Sequence, residues 1–278
     1  MVFGGTVLAR RIERAECRLI EECTAMLRRG SGDEAFLIPI AGGAAAFSGV
    51  ESPLTKVVGL GFAGSPEDGE LARIEAEFAA RGATVQIELS TLAESGIAER
   101  LTARGYSLAG FENVLARELD PSERCDERPG ITVDPSGADE LEIWLDVFVT
   151  AFATLEPQGV KPHEFFPREN LERVLRGLAG TRGLERFLAR RGGEPAGGAS
   201  FRAAAGIALL CGAGTLPAHR RRGVQAAMLL RRLSAAAQAG CDLAVVTTLP
   251  GSKSQQNVQR LGFALLYSRA ILRRSPAS

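Results

Sequence analysis

The stretch from Gly206 to Leu233 constrains this chain more than any other. Gly206-Ile-Ala-Leu-Leu-Cys-Gly212 is short and apolar and reads as a buried strand. Val224, Ala227, Met228 and Leu233 recur at helical spacing, with Arg231 and Arg232 on another face. Between the two runs Gly214-Thr-Leu-Pro-Ala-His-Arg-Arg-Arg-Gly223. The order is strand, basic glycine turn, helix. A helix start carries backbone N–H groups without intrahelical acceptors, and the macrodipole adds partial positive charge there. Gly223 lets a ligand approach the backbone, and Arg220, Arg221 and Arg222 add formal charge. Such a turn suits a phosphate or pyrophosphate group.

Arg220-x-x-Gly223-x-Gln225-Ala226, with Pro217 upstream, resembles the acyl-CoA pyrophosphate loop of the GNAT superfamily of N-acetyltransferases. That loop usually reads Arg/Gln-x-x-Gly-x-Gly/Ala, so Gln225 stands where a second small residue is usual and narrows the loop. Ser252-Lys-Ser-Gln-Gln-Asn257-Val-Gln-Arg-Leu-Gly262-Phe263 resembles the helix that follows the family's fifth strand. The resemblance implies a pantetheine arm lying between two splayed strands, bonded to Gly214, Thr215 and Leu216. It implies pyrophosphate held by Arg220, Arg221, Arg222, Gly223, Val224, Gln225 and Ala226, with Arg222 the preferred side-chain contact. Asn257 would lie near the pantetheine. Read from the residues alone, a surface helix residue is the alternative for Asn257. Ser254 is either a helix N-cap or a ligand contact, and Gly262 is a helix C-cap.

A length of 278 residues predicts about two domains. Lys+Arg and Asp+Glu both number 33, and a balanced chain lacks the basic excess of a general nucleic-acid binder. Five cysteines, Cys17, Cys23, Cys125, Cys211 and Cys241, are odd in number and form no C-x-x-C pair. They argue against a disulfide framework or zinc site and for a reducing compartment. The start shows no signal-length apolar run after a charged region, and no uncharged run approaches about 18 residues. The expectation is a cytoplasmic protein with no metal, no nucleic-acid partner and no membrane span. A homodimer is left open.

The N-terminal half reads as a helix over 11–29, strands over 35–40, 44–48 and 55–62, a helix over 70–80, a strand over 84–89 and a helix over 95–103. Gly42-Gly43 is its first turn, and Tyr106 to Leu119 looks like one or two antiparallel strands. Residues 121–130, polar with two prolines and a glycine in the surrounding 120–130 stretch, form the linker. The C-terminal half has a strand at 131–133 and helices over 138–152 and 168–178. A hairpin at 184–204, the organising segment, a strand over 242–248, a helix over 254–261 and a last strand over 263–272 follow.

The halves repeat each other at an offset of 157 positions. Thr91 falls on Thr248, Leu92 on Leu249, Ser95 on Ser252, Gly105 on Gly262, Leu108 on Leu265 and Leu115 on Leu272. The fold class expected is therefore α/β (α+β). Two GNAT-like domains are expected, each a mixed, mostly antiparallel sheet flanked by helices, with splayed parallel central strands. Residues 1–120 form a degenerate copy and 131–278 the complete one. In the first copy Gly64-Ser-Pro-Glu-Asp-Gly-Glu-Leu71 stands at the pyrophosphate loop, with three carboxylates where the second copy has three arginines. Carboxylates repel a diphosphate, so the first domain is expected to bind no CoA.

The resemblance implies transfer of an acetyl group from acetyl-CoA to an amine by direct attack. The family often uses a tyrosine on the helix after the fifth strand as the acid for the departing thiolate. Here that position is Val258, and the fourth strand offers no carboxylate base. Candidate catalytic groups are then His163, Glu156 and Glu164 from the 155–167 loop, and Ser254 and Tyr267. Cys211 has no evident activating base, so nothing supports a covalent route. These departures leave a rival: a non-catalytic acyl-CoA-binding sensor or scaffold.

Overall fold

Apolar residues at three- and four-residue spacing make Thr6–Ser31 a single helix, α1, whose buried face carries Ala9, Ile12, Cys17, Ile20, Cys23 and Leu27. Glu13 lies on that same buried face. The computed structural model describes residues 2–31, 34–125, 128–154, 160 and 165–276. After α1 come β1 (Phe36–Ile40), β2 (Gly43–Phe47), β3 (Lys56–Val58), α2 (Asp68–Ala79), β4 (Val85–Ser90), α3 (Ile97–Ala103) and β5 (Ser107–Glu118). The first hairpin turns at Ala41-Gly42, one residue earlier than expected. Both residues have positive φ, +42° and +87°, the geometry whose twist matches the flanking strands. Residues 106–119 resolve into one strand, β5.

The second half contributes β6 (Ile131–Pro135), α4 (Leu141–Ala153), α5 (Arg168–Ala179), β7 (Leu184–Arg191), β8 (Glu194–Ala204), β9 (Ile207–Leu209), β10 (Ala213–Thr215), α6 (Val224–Gln238), β11 (Leu243–Thr248), α7 (Lys253–Gln259) and β12 (Ala264–Arg274). The β7–β8 hairpin turns on Gly192-Gly193, again at positive φ.

The chain divides into two compact units, and they do not follow the division at 120/131. One comprises Met1–Val2, Leu115–Lys161 and Arg182–Ala264; the other Phe3–Val114, Pro162–Thr181 and Leu265–Ser278. We call them the C-terminal and N-terminal units. The segments holding α5 and most of β12 therefore belong to the N-terminal unit, although they come from the second half. Backbone pairing explains β12: it runs antiparallel to β4, with Arg269 opposite Ser90 and Arg274 opposite Val85. Packing explains α5: Val174 and Leu178 meet Cys23 and Leu27 of α1, and Asn170 and Arg173 donate to the carbonyls of Val50 and Ser48 at 3.0 and 2.5 Å. Sequence periodicity gives each element its apolar face but not the surface that covers it.

Strand order in the N-terminal unit is β1-β2-β3-β4-β12-β5, where β5 contributes residues 107–114; in the C-terminal unit it is β5-β11-β9-β8-β7-β6, where β5 contributes residues 115–118, with β10 also on β8. Each sheet is mixed and mostly antiparallel, with a parallel pair at its centre: β3 with β4, and β9 with β11. The N-terminal core gathers Phe47, Leu60, Leu71, Ile74, Phe78, Ile87 and Leu101 between sheet and helices. The C-terminal core gathers Phe187, Phe201, Leu229, Leu233, Val258 and Phe263. Within the described residues no helix is long and apolar enough to cross a membrane.

Candidate functional site

The expected strand 206–212 is interrupted, and the interruption builds the site. β9 pairs in parallel with β11 through Leu209 and Val245, and Leu210 N–H still donates to the Val245 carbonyl at 2.8 Å. The chain then bends at Gly212, whose φ is +63°. Beyond the bend β10 pairs only with β8, while β11 runs on to Thr248. β10 and β11 are not paired, so a gap opens between them.

Two side chains hold the bend. Ser200 Oγ donates to the Cys211 carbonyl at 2.5 Å. Arg232 Nη1 donates to the carbonyls of Gly212 and Ser200, both at 3.2 Å, and its Nε to Met228 at 3.3 Å. Burial lowers the Arg232 pKa to about 10, with Cys211 acting in the opposite direction, so the group is a cation at neutral pH. Periodicity puts Arg232 on another face than the apolar stripe of its helix; it is buried all the same, because three main-chain carbonyls satisfy its donors. Arg231 lies over the ring of Phe187, 5.4 Å from its centroid.

Helix α4 covers one face of β10. Trp144 Nε1 donates to the Ala199 carbonyl at 3.1 Å, and the Phe148 ring stacks on Phe152 with centroids 4.9 Å apart. Glycine is required in the strand opposite. A Cβ on Gly212 would lie 2.3 Å from Phe148 Cζ, and one on Gly214 2.6 Å from Ala151 Cβ. Phe152, expected on the buried stripe, is 47% exposed.

The basic turn follows. Pro217–His219 is a single 3₁₀ turn, Arg221 and Gly223 both take left-handed backbone (φ +58° and +86°), and α6 starts at Val224. Its N-cap, Gly223, has no side chain with which to bond the first N–H groups. Its first N–H groups therefore face outward from a turn carrying cations, the arrangement that suits an anion. The three arginines differ. Arg220 Nε donates to the Thr215 carbonyl at 3.2 Å, and Nη2 donates to those of Ala151 and Thr154 at 3.1 and 2.6 Å. It ties the turn to the end of α4. Arg221 and Arg222 are exposed. Gln225 Oε1 lies 3.5 Å from the Thr215 hydroxyl.

Across the gap, α7 is capped by Ser252, whose hydroxyl accepts from Gln255 N–H at 3.2 Å. The cap is thus two residues ahead of Ser254, which is exposed. Asn257 is half-buried on α7, and Gly262 ends the turn after it at φ +86°. Val258 is 3% exposed within the core. Thr248 is 4% exposed, and among the described residues its Oγ1 has no hydrogen-bond partner.

Of the remaining catalytic candidates, Tyr267 is the one among the described residues. Tyr267 is in the N-terminal unit, buried, and donates to Glu13 Oε1 at 2.8 Å; burial and the Glu13 charge push its pKa far up. It is a structural hydroxyl and not an acid for a thiolate. Glu156, His163 and Glu164 lie outside the described residues. Among the described residues no group of His, Cys, Asp and Glu could hold a metal ion.

The same elements recur in the N-terminal unit at the offset of 157, with the two central strands paired. β3 stands where β10 does and α2 where α6 does. Val57 pairs with Ile87, whereas their counterparts Gly214 and Ala244 lie on strands that pair with β8 and β9 and not with each other. Glu94 N–H donates to the Gly61 carbonyl at 2.9 Å, bridging the loops that follow β3 and β4. Gly64 is left-handed at φ +90°, as Arg221 is at the matching position. Instead of open N–H groups, the start of α2 has Glu70 accepting from Glu67 N–H at 2.8 Å.

A gap beside a bent strand, with a glycine turn opening into an uncapped helix, defines the GNAT fold. The family model described as an acetyltransferase (GNAT) domain matches residues 110–252, and the chain belongs to that family. Among solved structures it is similar to a GCN5-related N-acetyltransferase from Kribbella flavida at 22% identity and a TM-score of 0.65, covering 94% of this chain and 96% of that one. A GCN5-related N-acetyltransferase from Sphaerobacter thermophilus gives 18% and 0.59, covering 80% and 72%. A tandem GNAT protein from the clavulanic acid biosynthesis pathway gives 14% and 0.59, covering 85% and 79%. At these identities the likeness is one of fold. No curated protein matches the sequence.

Proposed function

We propose that the C-terminal unit binds acetyl-CoA and transfers its acetyl group to an amine. The observation that carries this reading is the uncapped start of α6, offered by left-handed Gly223 beside the gap between β10 and β11. The N–H groups of Val224, Gln225 and Ala226 and the exposed Arg221 and Arg222 would hold the pyrophosphate. The pantetheine arm would run along Gly214, Thr215 and Leu216 toward the bend, with Asn257 on the far side. Arg220 would support the turn from behind. Direct attack then requires the amine to be neutral and aligned on the thioester carbon, with N–H groups for the developing oxyanion. The N-terminal unit would bind no CoA, because paired strands fill its gap and carboxylates crowd its helix start.

A second reading is acyl-CoA binding without transfer. The buried Val258, which has no proton to give at the family's usual acid position, favours it.

Calorimetric titration with acetyl-CoA tests the first step. Wild type should bind one equivalent. Arg222→Glu/Gly223→Asp should weaken binding about tenfold or more, since one charge-assisted bond contributes about 1.5–3 kcal/mol. A folded wild type that binds nothing would overturn the proposal. Release of CoA thiol that depends on and saturates with an amine would establish transfer; binding without release across an amine panel would establish the second reading.

A further inference from the structure

The apolar face of α1 is interrupted by Glu13 and Glu16, and both meet Arg269 of β12. Arg269 is 0% exposed. Its Nε donates to Glu13 Oε1 at 2.8 Å, its Nη2 lies 2.5 Å from Glu16 Oε2, and its Nη1 lies 3.1 Å from Glu112 Oε2 of β5 and 3.5 Å from Glu88 Oε2 of β4. Lys56 Nζ of β3 donates to Glu88 Oε1 at 2.8 Å, and Tyr267 of β12 donates to Glu13. Cys17 of α1 adjoins the group, its thiol donating to the Val58 carbonyl at 3.5 Å and its pKa raised to about 12 by burial and by Glu16 and Glu13. Every one of these residues lies in the N-terminal unit.

The charges do not balance. Four carboxylates face two cations, which leaves two negative charges uncompensated in a largely buried place. Burying unpaired charge costs several kcal/mol, so such groups keep their protons instead. The carboxylates are also divided in space: Glu13 and Glu16 ride on α1, Glu88 and Glu112 on the sheet beneath it.

We propose that this cluster is a proton-gated latch, which holds α1 on its sheet while the surplus carboxylates are protonated and slackens when base removes those protons. The protons pass to water where the cluster opens, at Glu112, whose side chain is 25% exposed. Once they are lost, Glu13 and Glu16 repel Glu88 and Glu112 across the joint between helix and strands.

The acid–base properties of the members agree. Burial, with Glu88 next, raises the Glu112 pKa to about 7, and burial also raises that of Glu13. For Glu16 burial works against ionisation, but Arg269 and Lys56 outweigh it, and its pKa falls. Burial opposes the charge on Lys56 and Arg269 as well, and the surrounding glutamates overcome it. With Glu112 and Glu13 raised, the closed joint binds more protons than the open one. Its stability is therefore full below the usual glutamate range and lost as pH rises to about 7. Glu16 acts with the opposite sign, in the acid range below that window.

Amide hydrogen exchange of the full chain, corrected for intrinsic rates, reads the latch. Between pH 5 and 8 the opening of α1 over Thr6–Ile20 should rise about tenfold or more in wild type, since each unit of proton linkage is tenfold. Glu112→Gln, which removes the titrating group and keeps its shape, should cut that rise to about threefold or less. Peptides from β8 and α6 in the C-terminal unit serve as internal reference. PH-independent opening of α1 would overturn the proposal. So would a Glu112→Gln protein with the wild-type profile, or a change shared equally by β8 and α6, which would signal global unfolding. Should Glu112→Gln not fold, the wild-type profile of α1 against those two elements decides alone.

Discussion

Arg269 and Glu112 occupy the same position of the two halves, 157 residues apart, and their side chains meet at 3.1 Å. Neighbouring strands, β5 and β12, thus carry opposite charges at matching points. Two glutamates there would add a fifth carboxylate to the cluster around α1, and two arginines would leave one guanidinium without its present partner. A duplicated sequence whose two copies had stayed identical could not have formed this pair.

Arg220 and Arg222 should separate by function. Arg220→Ala leaves the carbonyls of Thr215, Ala151 and Thr154 without that donor and should cost about 1.5–3 kcal/mol of stability. Arg222→Ala, exposed, should stay within about 0.5 kcal/mol while weakening acetyl-CoA binding. Urea denaturation and calorimetry on both variants decide. Equal stability losses would remove the distinction.

Gly212 cannot accept a side chain. Left-handed backbone and the Phe148 ring 2.3 Å from a Cβ together predict that Gly212→Ala costs about 2 kcal/mol or more. Phe148→Leu should relieve part of it. A double-mutant cycle in urea measures the coupling, and strict additivity would show that the clash is absorbed elsewhere.

Cysteine labelling should map the gap. Cys17, Cys23 and Cys241 are buried, while Cys125 and Cys211 are half-buried. Cys125 and Cys211 should react first with an alkylating reagent. Saturating acetyl-CoA should slow Cys211 about tenfold or more, through occupancy of the site at the bend, and leave Cys125 unchanged. Protection of both or of neither would move the ligand elsewhere.

Thr248→Val tests the hydroxyl at the end of β11. Among the described residues it has no partner; a buried donor so left is unfavourable by about 1–3 kcal/mol, so its isosteric removal should leave thermal stability unchanged or raised. A lower melting temperature would mean that the hydroxyl is bonded in solution.

Much of the fold was legible because it depends on local pattern. The face of α1, the glycine hairpin at 192–193 and the strand–turn–helix at 206–233 follow from spacing and turn chemistry. The bend at Gly212 was not legible: Cys211-Gly212 reads as strand until Ser200 and Arg232, from two other elements, take its carbonyls. The burial of Arg232 was not legible for the same reason, since a helical wheel does not show which carbonyls a side chain will meet. Tyr267 was offered as an acid because sequence distance does not show that Glu13 holds it.

The sequence by itself determined the repeat, the basic glycine turn and its acidic counterpart at 64–71. Those are properties of residue type and order, which act over a few positions. Only the tertiary structure decided that β12 and α5 complete the N-terminal unit, that β10 parts from β11 while β3 stays paired with β4, and that Arg220 faces carbonyls while Arg222 faces water. Each depends on which distant backbone groups supply the missing hydrogen bonds, and that choice is made only when the surfaces meet.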